Sequence, residues 1–159
     1  MNSATAVGGG ANHPDRRQEM SKTAREVMTG GAECIGESES ITRAATRMAE
    51  LDVGSMPICG EDDRLKGMLT DRDIVVKVIA EGKDPDEVTA GEFGQGKPVT
   101  VGADDSVEVA IETMKEHAVR RLPVIDGHEL IGIVSQGDLA CEVSEKAAGD
   151  LVEAISSAP

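Results

Sequence analysis

An internal duplication constrains this chain more than any other feature. Ser40 to Met48 realigns on Ser106 to Met114, 66 positions further on. Ile41, Ala44, Ala45 and Met48 fall at the spacing of one buried helical stripe, and Val107, Ala110, Ile111 and Met114 repeat it. Each serine stands where an N-cap belongs, its oxygen free to accept a backbone N–H of the first turn. At the same spacing Thr23–Val27 lies over Thr89–Phe93, and Met56-Pro57-Ile58 over Leu122-Pro123-Val124. Beyond the prolines the spacing drops to 65, so that Leu65 to Asp73 lies over Leu130 to Asp138. The lost residue falls in a polar turn, Gly60-Glu61-Asp62-Asp63 against Asp126-Gly127-His128, and both turns read as hairpin connections.

Each copy therefore reads strand, helix, strand, turn, strand, helix. Short strands are predicted at Cys34–Ile35 and Val99–Val101, at Ser55–Cys59 and Leu122–Ile125, and at Leu65–Leu69 and Leu130–Val134. Second helices start at Asp71 and Gln136. The fold class is α+β (α/β), with a three-stranded sheet and two helices in each copy. One copy cannot bury both faces of such a sheet, whereas two packed together can, which predicts a pseudo-two-fold pair with equivalent clefts between the halves. The chain divides into a flexible N-terminal tail (1–22), a first unit (23–82), a linker (83–88), a second unit (89–142) and a C-terminal helix and tail (143–159). Ala147, Leu151, Ala154 and Ile155 share one face of that last helix.

The duplicated motif resembles a known family. Gly67 to Asp73 and Gly132 to Asp138 both spell G-h-h-T/S-x-x-D, where h is apolar, after a proline-bearing strand and an amphipathic helix. This pattern resembles the CBS (cystathionine beta-synthase) domain. The tandem, from about Thr23 to about Glu142, is similar to a CBS pair, or Bateman module. Leu51 to Cys59, with Thr70 to Asp73, is especially similar to stand-alone bacterial CBS-pair proteins of the hypoxic-response type. The resemblance implies a regulatory module that binds adenosyl ligands (AMP, ADP, ATP or S-adenosylmethionine) in its inter-domain clefts and requires no other cofactor. It also implies a homodimer that signals to a protein effector in trans.

The residues themselves allow the same chemistry. Thr70 and Ser135 close a strand and open a helix, where free N–H groups gather and can hold a phosphate. Asp73 and Asp138, three residues on, can accept ribose hydroxyls. Gly67 and Gly132 mark places where a backbone or a ligand comes close. Adenine would lie against apolar walls such as Val27, Ile58, Phe93 and Val124. Arg72, Arg120 and Arg121 are the candidate phosphate cations, and Gly54-Ser55 in place of Arg120-Arg121 predicts a weaker grip in the first unit. Arg72 has Gly137 as its counterpart, so the two clefts are expected to be unequal. The same T/S-x-x-D spacing is equally a helix capping box that needs no ligand.

Composition closes other routes. The 159 residues carry a net charge of −14, which opposes nucleic acid as a partner. With one Phe and no Trp or Tyr, no stacking platform exists. No apolar run approaches the roughly 20 residues of a membrane span, and Met1 to Gly10 lacks the regions of a secretory signal, which predicts a cytoplasmic protein. Gly91 to Pro98 nearly spells a phosphate-binding loop but has Pro98 where a Ser or Thr should stand. His13, His117 and His128 are scattered, so neither a metal site nor a catalytic residue is assigned, and enzyme activity is not expected. Cys34 and Cys59 come within disulfide range if their strands are neighbours. That leaves a second function open, a ligand-free dimerisation or stress-response module that is redox-linked through those two cysteines.

Overall fold

In a computed structural model, residues 21–94 and 96–157 are described. The predicted N-terminal tail lies almost wholly outside them, as does Gln95 of the glycine-rich loop. The chain runs α1 (Ala24–Val27), β1 (Thr29–Gly30), β2 (Ile35–Gly36), α2 (Ile41–Leu51), β3 (Ser55–Cys59), β4 (Leu65–Thr70) and α3 (Asp71–Asp73). A π-helical stretch, Ile74–Ile79, continues α3, and a 3₁₀ turn covers Ala90–Phe93. The second copy follows as β5 (Val101–Gly102), α4 (Val107–His117), β6 (Arg121–Asp126), β7 (Glu129–Ser135) and α5 (Gln136–Ala140), and α6 (Glu145–Ser156) ends it. The first strands of the two copies start one and two residues later than expected, at Ile35 and Val101, with Cys34 just outside β2.

The predicted caps form. Ser40 Oγ accepts the Arg43 N–H at 3.2 Å, and Ser106 Oγ accepts the Val109 N–H at 3.3 Å. Ile41, Ala44 and Met48 are buried beneath α2, as are Val107, Ala110, Ile111 and Met114 beneath α4. Ala45 departs from the expected stripe and is exposed. Its counterpart Ile111 is covered because Leu151 and Ile155 of α6 pack into the same core. Among the described residues no helix matches α6 over α2.

The leading segment of each copy packs on the other copy. Ala24 is buried in the core built by α4, β6, β7 and α6, while Val88 and Ala90 are buried in the core of α2, β3 and β4. The backbone bonds are reciprocal. Ala24 N–H donates to Asp105 O at 2.8 Å and Arg25 N–H to Ala103 O at 3.0 Å. The equivalent pair, Ala90 N–H to Glu39 O and Gly91 N–H to Glu37 O, measures 2.9 and 2.8 Å.

This exchange breaks the expected symmetry of the sheets. β1 joins the second copy antiparallel to β7, giving a four-stranded sheet β1-β7-β6-β5, while the first copy keeps three strands, β2-β3-β4. Two glycines admit the crossing segments. A Cβ on Gly132 would stand 2.5 Å from Met28 Sδ and 2.6 Å from Thr29 O, and one on Gly67 would stand 3.1 Å from Gly94 Cα. The close approach that these glycines foretold is thus made by the protein's own backbone.

Gly132→Ala should lower stability by about 1–3 kcal/mol through overpacking and should speed hydrogen exchange of the β1 amides. Gly67→Ala should cost less, since its neighbour has more room. Equal protection of Thr29 and Gly30 in Gly132→Ala and wild type would show that β1 does not depend on this contact.

Candidate functional site

Two concavities lie between the halves, related by the same pseudo-two-fold as the chain. One, of about 500 Å³, is lined by Gly30–Glu33, by Leu51–Pro57 and by Arg121, Ile133, Ser135 and Asp138. The other, of about 480 Å³, is lined by Ser55, Met68, Thr70 and Arg72 and by Pro98, Val99 and Ala118–Arg121. Both fall in the usual size range of small-molecule sites. In each, the strand end of one copy faces the turn after the first long helix of the other. That turn passes through a left-handed residue at the same place in both copies, Asp52 (φ 54°) and Ala118 (φ 52°). Such non-glycine residues are uncommon, and here both line a cleft.

Both T/S-x-x-D motifs form full capping boxes. Thr70 Oγ1 accepts the Asp73 N–H at 3.0 Å, while Asp73 Oδ2 accepts the Thr70 N–H and hydroxyl at 3.1 and 2.8 Å. Ser135 and Asp138 repeat this at 3.2, 2.8 and 2.8 Å. The second carboxylate oxygens differ. Asp73 Oδ1 is held by Lys77 Nζ at 2.7 Å, and Asp73 lines a separate hollow with Lys77, Glu92 and Phe93 rather than the Thr70 cleft. Asp138 Oδ1 has no protein partner among the described residues, and Asp138 lines its cleft. Of the two motif carboxylates, only that of Asp138 lines a cleft between the halves with an oxygen left to accept a further donor.

The cations are also redistributed. Arg120 and Arg121 belong to the second copy but line the Thr70 cleft beside Arg72, and Arg121 reaches the Asp138 cleft as well. Gly54 and Ser55 line the Asp138 cleft. The arginines of the second copy therefore stand beside the first motif rather than the second, because each turn faces the motif of the opposite copy. None of the four predicted wall residues lines either cleft, and Phe93 lines the separate hollow beside Asp73 and Lys77. Ile58 and Val124 are fully buried in the two cores, and Val27 packs against the second one. Packing within the two cores covers Ile58 and Val124, and the apolar walls come instead from Leu51, Val53, Met56 and Ile133 in one cleft and from Met68, Val99 and Val119 in the other.

Cys34 and Cys59 are joined in a disulfide, with Cα atoms 5.7 Å apart, because β2 runs parallel to β3 and pairs Gly36 with Cys59. The bridge stands directly after the Gly31–Glu33 wall of the Asp138 cleft. Arg47 ties the same loop by donating to Cys34 O and pairing with Glu33. Cys141 is free and exposed. No helix among the described residues is long and apolar enough to cross a membrane.

Fold and site together define a tandem CBS-domain protein. The CBS domain pattern matches residues 24–80 and 90–145, and the chain belongs to that family. Hypoxic response protein 1 of Mycobacterium tuberculosis is 50% identical over 135 residues, which is 85% of this chain and 94% of that protein. The CBS domain-containing protein YhcV of Bacillus subtilis is 37% identical over 137 residues, covering 83% of this chain and 94% of the relative. A crystal structure of hypoxic response protein I with two coordinated zinc ions superposes with a TM-score of 0.71 at 50% identity, covering 77% of this chain and 100% of that one. Among the described residues of this chain no three or more His, Cys, Asp or Glu side chains gather into a cation site, and His117 and His128 are both exposed.

Partial burial opposes ionisation of Asp73, but the Lys77 ammonium and the Thr70 hydroxyl and N–H outweigh it and hold the carboxyl below the ordinary aspartate range. A depressed folded-state pKa gives stability that is present above the unfolded value, about 4, and is lost as pH falls through the folded one. Asp73→Asn should therefore shrink the loss of stability between about pH 5 and pH 2, read by urea unfolding. An unchanged acid limb would show that the Asp73–Lys77–Thr70 cluster does not carry it.

Proposed function

We propose that this chain is a regulatory CBS pair that takes an adenosyl ligand between its halves, and that the ligand resets their relative angle for a protein effector in trans. The observation that carries this reading is Asp138, which lines a cleft of about 500 Å³ with apolar walls and whose Oδ1 has no protein partner among the described residues. The capping box supports rather than opposes it, since the bonds that orient Asp138 use only its other oxygen. A ligand held by both copies has the differential contact with two arrangements that a population shift requires. Catalysis has no part in this reading.

We also propose that the chain acts as a homodimer. Val75, Val76 and Ile79 stand 58, 44 and 55% exposed on the π-helical stretch, whereas the matching helix of the second copy packs against α6. A second reading is favoured by the disulfide: a ligand-free dimerisation or stress-response module, controlled through Cys34 and Cys59.

Melting curves with adenosine, AMP, ADP, ATP and S-adenosylmethionine separate the two. A ligand at about a hundred times its Kd should stabilise by about 2.7 kcal/mol, or about 5–10 °C for a chain of this size. Asp138→Ala should abolish the adenosine-dependent rise, and its lost cap should cost about 0.5–2 kcal/mol without ligand. No rise with any of the five, together with a response to reductant alone, would establish the second reading.

A further inference from the structure

Three exposed arginines converge on the Thr70 cleft, and no carboxylate lines it. Arg72, Arg120 and Arg121 have no ion-pair or side-chain hydrogen-bond partner among the described residues. Every other described Lys and Arg, save Arg64 and Lys97, pairs with a carboxylate. In a chain of net charge −14, three guanidiniums that line one cleft, unpaired among the described residues, form a local reversal of the field. The cleft also lacks a ribose acceptor, since Asp73 is turned into another hollow and held by Lys77. The Asp138 cleft has the opposite set: Glu33, Asp52 and Asp138 against Arg121 alone.

From this we infer a division of labour: the Thr70 cleft recognises an oligophosphate chain by charge, whereas the Asp138 cleft recognises the nucleoside. Planar, always-charged guanidiniums suit the several oxygens of a di- or triphosphate, and three of them give affinity that rises with phosphate number. The oligophosphate class covers both a free polyphosphate and the tail of a nucleoside triphosphate. The inference rests on the clefts being ligand sites, but it does not require that either ligand be adenosyl.

Calorimetry on the full chain with inorganic tripolyphosphate, inorganic phosphate, adenosine and ATP tests it. Tripolyphosphate should bind at least tenfold more tightly than phosphate, and more weakly as salt rises. Arg72→Ala and Arg120→Ala should each weaken it about tenfold while leaving adenosine binding unchanged, and Asp138→Asn should do the reverse. ATP that loses affinity in the arginine variants marks the phosphate chain of a nucleotide as the ligand, and tripolyphosphate binding unaided by a nucleoside marks a free polyphosphate. Either supports the inference. Tripolyphosphate that binds no better than phosphate, or equally in wild type and both arginine variants, overturns it. Adenosine that fails to bind while tripolyphosphate succeeds removes the nucleoside half and the adenosyl reading, and leaves the arginine cleft standing.

Discussion

Each copy of the duplicated unit is closed by a segment that belongs to its twin. The bonds from Ala24 to Asp105 and from Ala90 to Glu39 are the same bond made twice, and the buried alanines at their centres sit in opposite cores. Neither half could keep its core intact if the other were removed, because Ala24 would leave one core and Val88 and Ala90 the other. The mutual debt holds the halves face to face and defines the space between them. It also explains the glycines in β4 and β7. A backbone crossing a sheet at van der Waals distance leaves no room for a Cβ, as the separations of 3.1 Å at Gly67 and 2.6 Å at Gly132 show.

Symmetry of the backbone coexists with asymmetry of the chemistry. The two clefts are built from equivalent positions, yet Arg120-Arg121 stands where the other copy has Gly54-Ser55, and Arg72 where the other has Gly137. Because turns and motifs meet across the pair, these differences add within one cleft rather than averaging over both. The Thr70 cleft collects three guanidiniums, while in the Asp138 cleft one carboxylate oxygen has no hydrogen-bond partner among the described residues. The same logic operates at the outer surface, where α6 covers Ile111 and leaves its counterpart Ala45 and the nearby Val75 and Ile79 in solvent.

A helix cap and a ligand site were alternatives while only the spacing T/S-x-x-D was known, and the geometry shows why they need not compete. One carboxylate oxygen satisfies the strand-end N–H and hydroxyl, which orients the side chain at no cost to the other oxygen. At Asp138, which lines the cleft, the remaining oxygen has no partner among the described residues; at Asp73 it meets Lys77, one turn further along the same helix. A single lysine, without counterpart in the second copy, thus separates two motifs that read alike.

Much of this was legible in the amino-acid order, because it depends on local periodicity. The repeat, the caps at Ser40 and Ser106, the stripes under α2 and α4 and the hairpins follow from spacing alone, since helices and strands impose periods that a one-dimensional pattern records. The strained turns at Asp52 and Ala118, the strand β1 and the partners of Arg120 and Arg121 were not legible. They arise only when two copies dock, and nothing within either copy encodes which turn faces which motif. Ile58 and Val124 line neither cleft for a related reason: packing between elements distant in the chain decides which faces of β3 and β6 are sealed. The order of residues determined what each half is; contacts between residues far apart in the chain decided what the halves hold between them.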